Sequence, residues 1–180
     1  MEKRSSSADI SMKKILVTGP ESAGKTDLSI FLTGYFNGRL VPEYARKYIE
    51  GLKRPYTFDD VVAIALKQRT QYHELREGDR WIIFDTWLVI TKVWMDVVFN
   101  KYPDWITREL NEAKFDLVLV CAPDIPWVPD PVRENGGEQR VRLYKRYIDE
   151  TERLGWRYAV VEGTGEQRYR NALDKMEAIL

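Results

Sequence analysis

Residues Gly19 to Thr26 read Gly-Pro-Glu-Ser-Ala-Gly-Lys-Thr, a complete G-x-x-x-x-G-K-[ST] phosphate-binding loop. In such a loop successive backbone N–H groups curl around an anion, the lysine brings a cation to the β and γ oxygens, and the last hydroxyl faces Mg²⁺. The octapeptide therefore calls for a nucleoside triphosphate, with Gly19, Glu21, Ser22, Ala23, Gly24, Lys25, Thr26 and the adjoining Asp27 as its contacts. Glycine is needed at both ends, because the backbone there turns tightly and approaches the phosphates closely.

Three further groups could complete the chemistry. Asp85 closes the apolar run Trp81-Ile-Ile-Phe-Asp85, where a carboxylate can hold Mg²⁺ directly or through water beside Thr26. The alternative is an aspartate capping the next helix. Glu43 follows the apolar run 39–42, and ligands gather outside the carboxyl ends of parallel strands, so it is a candidate base for an attacking hydroxyl. Its other reading is an acidic first-turn residue on a helix dipole. Arg133 and Arg140 flank Asn135-Gly136-Gly137 in a basic stretch that continues through Arg142, Lys145 and Arg146. A hinged lid over residues 130–146 could close on the triphosphate and place an arginine on the transferring group. From 142 to 153 a solvated helix face is expected instead, with Asp149, Glu150 and Glu152 pairing with the basic residues. Finally, Asp124 and Asp130 flank Trp127, a set suited to ribose hydroxyls and a stacked ring. His73 reads as a solvated helix residue and Cys121 as an inert small hydrophobe.

These groups need a scaffold, and its outline is legible. Runs at 14–18, 39–42, 81–85, 115–121 and 157–161 are short and largely apolar, as strands buried on both faces must be. Between them lie helical spacings: 28–35 ending at Asn37-Gly38, 43–51, a stretch capped by Thr57 and running towards Leu75, the apolar 87–99, 104–113 with Asp104 as cap, 139–154 and 165–180. The alternation predicts a three-layer α/β/α fold with a five-stranded parallel sheet. At 180 residues one domain over 13–180 is expected, after a polar, mobile tail over 1–12. The 28 basic and 28 acidic residues cancel, so no global field favours nucleic acid. One cysteine, one histidine and no long apolar run point to a reducing cytoplasm, with no disulfide, zinc cluster, signal peptide or membrane span.

Four blocks in order carry a resemblance: the octapeptide, Val41-Pro-Glu-Tyr-Ala-Arg46, Asp85-Thr-Trp-Leu-Val-Ile-Thr-Lys-Val-Trp94, and Pro123-Asp-Ile-Pro-Trp-Val-Pro-Asp-Pro-Val-Arg-Glu-Asn-Gly-Gly137. Together they resemble the ribosylnicotinamide kinase domain of the NadR type over roughly residues 13–175. The resemblance implies transfer of a phosphoryl group from Mg-ATP to the 5′-hydroxyl of nicotinamide riboside, giving nicotinamide mononucleotide in NAD salvage. It places Glu43, Tyr44, Arg46, Asp124, Trp127 and Asp130 at the acceptor, and Lys25, Glu43, Asp85, Arg133 and Arg140 at the transfer. Ala23 departs from the serine or threonine frequent in the family. Larger relatives carry an adenylyltransferase domain, for which this chain has no room and whose two-histidine signature its one histidine cannot supply. Some stand-alone relatives are known only as ATPases, so two alternatives stand: a kinase of another nucleoside or small metabolite, and a regulatory NTP-binding module without an acceptor. Oligomeric state is not readable, since the apolar helix 87–99 could be core or interface.

Overall fold

The five apolar runs are the strands of one parallel sheet: β1 (Lys13–Thr18), β2 (Arg39–Val41), β3 (Trp81–Asp85), β4 (Leu117–Cys121) and β5 (Tyr158–Val161). The computed structural model describes residues 12–76, 78–128 and 136–180. Strand order is β2-β3-β1-β4-β5, so β1 is central and the order reverses on either side of it. The register aligns Val17 with Asp85 and Thr18 with Val120, bringing the carboxyl ends of β1, β3 and β4 to one edge. A crevice at that reversal is where an open α/β sheet takes its ligand.

Helices α1 (Lys25–Tyr35), α2 (Ala45–Glu50), α3 (Phe58–His73), α4 (Leu88–Phe99), α5 (Asp104–Glu112), α6 (Gly137–Arg153) and α7 (Glu166–Ile179) cover the sheet. Because side chains alternate along a strand, β1 sends Leu16 to one face and Ile15 and Val17 to the other. The first face packs Phe84, Val118 and Val120 against Val61 and Ala65 of α3, Leu88 and Met95 of α4 and Leu110 of α5. The second packs Ile83 and Leu119 against Leu28 and Leu32 of α1 and Ala172 and Met176 of α7. This is the expected three-layer fold.

Local chemistry sets the helix starts. Thr57 caps α3 as expected, and Asp60 returns the favour by accepting from the Thr57 N–H at 2.7 Å. Arg54 and Tyr48 also donate to Asp60. Arg54 first, then the Thr57 N–H, hold that carboxyl well below its usual range. Two expectations need correction. The cap of α5 is Pro103, whose ring fixes φ at −67° with extended ψ, so Asp104 falls inside the first turn, where its charge meets the helix dipole. Helix α2 starts at Ala45 with Tyr44 at its N-cap, leaving Glu43 outside the helix. The helix expected over 139–154 is α6, which begins at Gly137 and buries Arg140, while residues 130–135 of the expected lid lie outside the described residues.

Helix α4 is core on one side: Leu88, Val89, Val93 and Met95 are buried, while Val97 and Val98 are exposed. It is tied to α6 by charge as well. Buried Lys92 donates to Glu150 at 2.5 Å, and Arg146 pairs with Asp96. The acidic residues of α6 were expected to pair along their own helix; Glu150 does so with Arg153, but its second partner lies on α4. Among the described residues no helix is long and apolar enough to cross a membrane.

Candidate active site

The phosphate loop spans the gap between Thr18, the last residue of β1, and Lys25, the first of α1. Gly19 has φ +138°, and a Cβ there would lie 2.7 Å from the Cys121 carbonyl oxygen, so the close passage of β4 admits glycine alone. Gly24, at φ +68°, is the N-cap of α1. The loop's carbonyls are held from outside. Arg140 of α6 donates from Nε to the Glu21 carbonyl at 2.8 Å, from Nη2 to that of Ser22 at 2.9 Å and from Nη1 to that of Ile125 at 2.7 Å. Arg168 of α7 donates to the Ala23 carbonyl at 3.0 Å.

Lys25 Nζ donates to the Pro20 carbonyl at 2.7 Å, folded back on its own loop. Thr26 Oγ1 donates to Asp85 Oδ2 at 2.7 Å. Asp85 is only 2% exposed, and its other oxygen, Oδ1, is buried with no hydrogen-bond partner among the described residues. Burial pushes this carboxyl up to about 6; the Thr26 hydroxyl opposes the shift, the Glu43 charge adds to it and Lys25 opposes it. That interaction brings Lys25, Thr26, Glu43 and Asp85 into one electrostatic neighbourhood, with Asp27 adding to the negative charge. The turn after β3 is strained: Thr86 has φ +65° and donates its N–H to the Val17 carbonyl at 3.0 Å, which ties the chain just past Asp85 to β1.

The remaining expected site residues are distributed less evenly. Asp124 does not stand free for a ribose: it pairs with Arg168 through Oδ1 and accepts the Gly163 N–H through Oδ2 at 2.7 Å. The physical reason is Arg168 itself, a buried cation that needs a counter-charge. Arg140, expected over the phosphates, instead grips the outside of the loop. Trp127 is half-buried against Gly136, where a Cβ would sit 3.2 Å from its ring, and its Nε1 is buried without a partner among the described residues. The segment carrying it is tied to the loop, since the Val128 N–H donates to Ser22 Oγ at 3.4 Å. Tyr44 lies 5.9 Å from the Tyr48 ring, and Arg46 donates to Glu50 at 3.4 Å. Asp130 and Arg133 lie outside the described residues.

Two readings away from the crevice also divide. His73 is not merely solvated: its Nε2 lies 2.7 Å from Oε2 of Glu109, a buried carboxylate that Arg69 also meets at 2.5 Å. Cys121 is fully buried, which pushes its thiol up to about 11 and leaves it inert.

Arg168 went unnoticed in the sequence. It is 2% exposed and donates also to the carbonyls of Gly163 at 2.8 Å, Val161 at 3.3 Å and Ala122 at 3.2 Å, joining the ends of β4 and β5 to the phosphate loop. A signal existed: Arg168, Ala172 and Met176 recur every four residues, which puts an arginine on the apolar stripe of α7.

A family model described as an AAA domain matches residues 14–168. The chain belongs to this AAA-domain family. Among curated proteins this AAA-domain chain is similar to the trifunctional NAD biosynthesis/regulator protein NadR of Salmonella typhimurium, at 23% identity over 145 residues. That match covers 77% of this chain and 35% of the relative, so the chain spans about a third of the relative's length. A solved NadR protein in complex with NR matches with TM-score 0.80 at 21% identity, over 93% of this chain and 51% of that one. A NadR protein with NAD and AMP-PNP matches with TM-score 0.75 at 21% identity, over 93% and 49%. Thymidylate kinase from Ehrlichia chaffeensis matches with TM-score 0.67 at 13% identity, over 94% and 99%. At these identities the structures establish the fold, that of P-loop kinases.

Proposed function

We propose that this protein is an ATP-dependent kinase that phosphorylates the 5′-hydroxyl of nicotinamide riboside to give nicotinamide mononucleotide. The observation that carries the phosphoryl-transfer part is the Thr26–Asp85 pair: a hydroxyl and a carboxylate 2.7 Å apart at the mouth of a phosphate loop, with one carboxylate oxygen buried and, among the described residues, unsatisfied. An orphaned anionic oxygen beside a hydroxyl is a donor set suited to Mg²⁺, which keeps water and phosphate oxygens as its other ligands. Thr26 and Asp85 would hold the ion, and when bound it neutralises charge on the β and γ phosphates. The NadR complexes with NR and with AMP-PNP, a triphosphate analogue, supply the substrate pair for the reading.

Each protein group then has a task. The loop N–H groups cradle the phosphates, and Lys25 leaves the Pro20 carbonyl for a β or γ oxygen, exchanging a neutral acceptor for an anionic one. Glu43, outside α2 and within the field of Asp85, accepts the proton of the attacking 5′-hydroxyl as its oxygen bonds to the γ phosphorus and the bond from that phosphorus to the β–γ bridging oxygen breaks, releasing ADP. Tyr44 and Trp127 offer aromatic faces for the acceptor's pyridinium ring. Positioning and charge neutralisation supply most of the acceleration, since phosphoryl transfer asks little covalent chemistry of the protein.

The deciding experiment is a Mg-ATP assay across nucleosides, nicotinamide riboside included, with ADP and the phosphorylated product both measured. Highest kcat/KM for nicotinamide riboside is expected. A higher value for a pyrimidine or purine nucleoside would reassign the acceptor. ADP formation independent of every acceptor would remove the kinase reading.

A further inference from the structure

We infer that Arg140 and Arg168 are positioning residues for the triphosphate: from two different helices they hold three consecutive carbonyls of the phosphate loop outward, and so aim its N–H groups at the anion. The inference deepens the triphosphate reading and rests on it, but not on the identity of the acceptor. The carbonyls of Glu21 and Ser22 accept from Arg140, 119 and 118 residues away, and that of Ala23 from Arg168, 145 residues away. In a trans peptide the carbonyl and the following N–H point in opposite directions. Fixing these three carbonyls therefore turns the N–H groups of Ser22, Ala23 and Gly24 to the other side, and these are donors that a phosphate loop uses.

The arrangement addresses a cost inherent in the loop. Ser22 and Gly24 both sit at positive φ, +54° and +68°, and three parallel peptide dipoles repel one another in the absence of an anion. Two guanidinium groups behind the loop offset that repulsion and polarise the same peptides in the direction that favours a phosphate in front. Both arginines are nearly buried, at 6% and 2% exposure, so water screens the effect little. Their geometry is specific to arginine. Arg140 spans the Glu21, Ser22 and Ile125 carbonyls with one planar fork, and a lysine ammonium cannot meet all three from one point.

The test uses the full chain and its Arg140→Lys and Arg168→Lys variants. Equilibrium binding of Mg-ATP and of inorganic tripolyphosphate, KM for the acceptor, and thermal unfolding are measured for each. Tripolyphosphate reads the N–H cradle without a base or ribose. In each variant both ligands are expected to weaken by about tenfold or more and by similar factors, with acceptor KM within about twofold and cooperative unfolding retained. Unchanged affinities in folded variants would overturn the inference. So would weakening of Mg-ATP alone, which would point to base recognition, or an equal rise in acceptor KM, which would mean general distortion. Loss of folding in both variants would assign the arginines to stability and also overturn it. A wild-type chain that binds neither ligand would bring down the triphosphate reading itself, whereas normal wild-type binding with unmoved variants brings down this inference alone.

Discussion

On the side of the crevice proposed for the triphosphate donor, the carbonyls of Glu21, Ser22 and Ala23 are each held by a side chain from a distant helix, and Thr26 is bonded to Asp85. On the side proposed for the acceptor, Glu43 sits in the short stretch between β2 and α2, and Trp127 in a proline-rich segment after β4. The first region is held by side chains from distant helices, whereas the second lies on the connecting segments after β2 and β4. A triphosphate presents the same oxygens in every enzyme that uses one, so a rigid cradle suits it. An acceptor differs from one kinase to the next, and a wall carried on connecting segments can change with little cost to the fold.

The sharpest way to break this contrast is at Lys25. Lys25→Ala is expected to lower acceptor-dependent ADP formation by about a thousandfold or more, yet to leave the melting temperature within a few degrees, because the side chain gives up one carbonyl bond. Turnover near wild type would dissolve the donor side as described. At the junction of the two regions, Glu43→Gln should reduce kcat by about a hundredfold or more while Mg-ATP affinity stays constant, as removal of a base would. If kcat holds, Glu43 is only a residue preceding α2. On the acceptor side, Trp127→Ala is expected to raise the acceptor KM about tenfold, with KM for ATP unmoved; a rise in the ATP term alone would transfer Trp127 to the donor side.

The smallest effect is one of stability. The Asp85 carboxyl is raised to about 6 by burial, against an ordinary value near 3.8. In the metal-free protein the charged form is therefore disfavoured by folding, and stability falls as pH climbs from about 4 through 6, then levels off. Asp85→Asn removes that penalty. Besides slowing turnover, it should raise the metal-free melting temperature by several degrees at pH 7 to 8 and scarcely at pH 4. Melting curves with a chelator present at the two pH values measure it, and an equal change at both would show that ionisation of Asp85 is not the cause. Mg-ATP should stabilise the wild type more than the variant.

Much of the scaffold was legible because its signals are local. Each strand is an apolar run bounded by turn residues, and Thr57 announces α3 through a side chain three residues from its partner Asp60. Asp104 misled because an acidic residue before a helical pattern reads equally as cap or first turn, and only the backbone angles of Pro103 separate the two. Asp124 and Arg140 misled for a different reason. A carboxylate after a strand and an arginine beside glycines look available, and their partners, Arg168 and the loop carbonyls, lie 44 and more than 100 residues away.

The sequence alone determined that a triphosphate loop follows the first strand, that a carboxylate ends the third, and that the fold is a parallel α/β sandwich, since these depend on residue types within a few positions of one another. Tertiary structure decided that Thr26 and Asp85 meet, that one oxygen of Asp85 has no partner among the described residues, and that two arginines grip the loop from behind. Those facts depend on strand order and helix packing, which bring together groups that no local pattern connects.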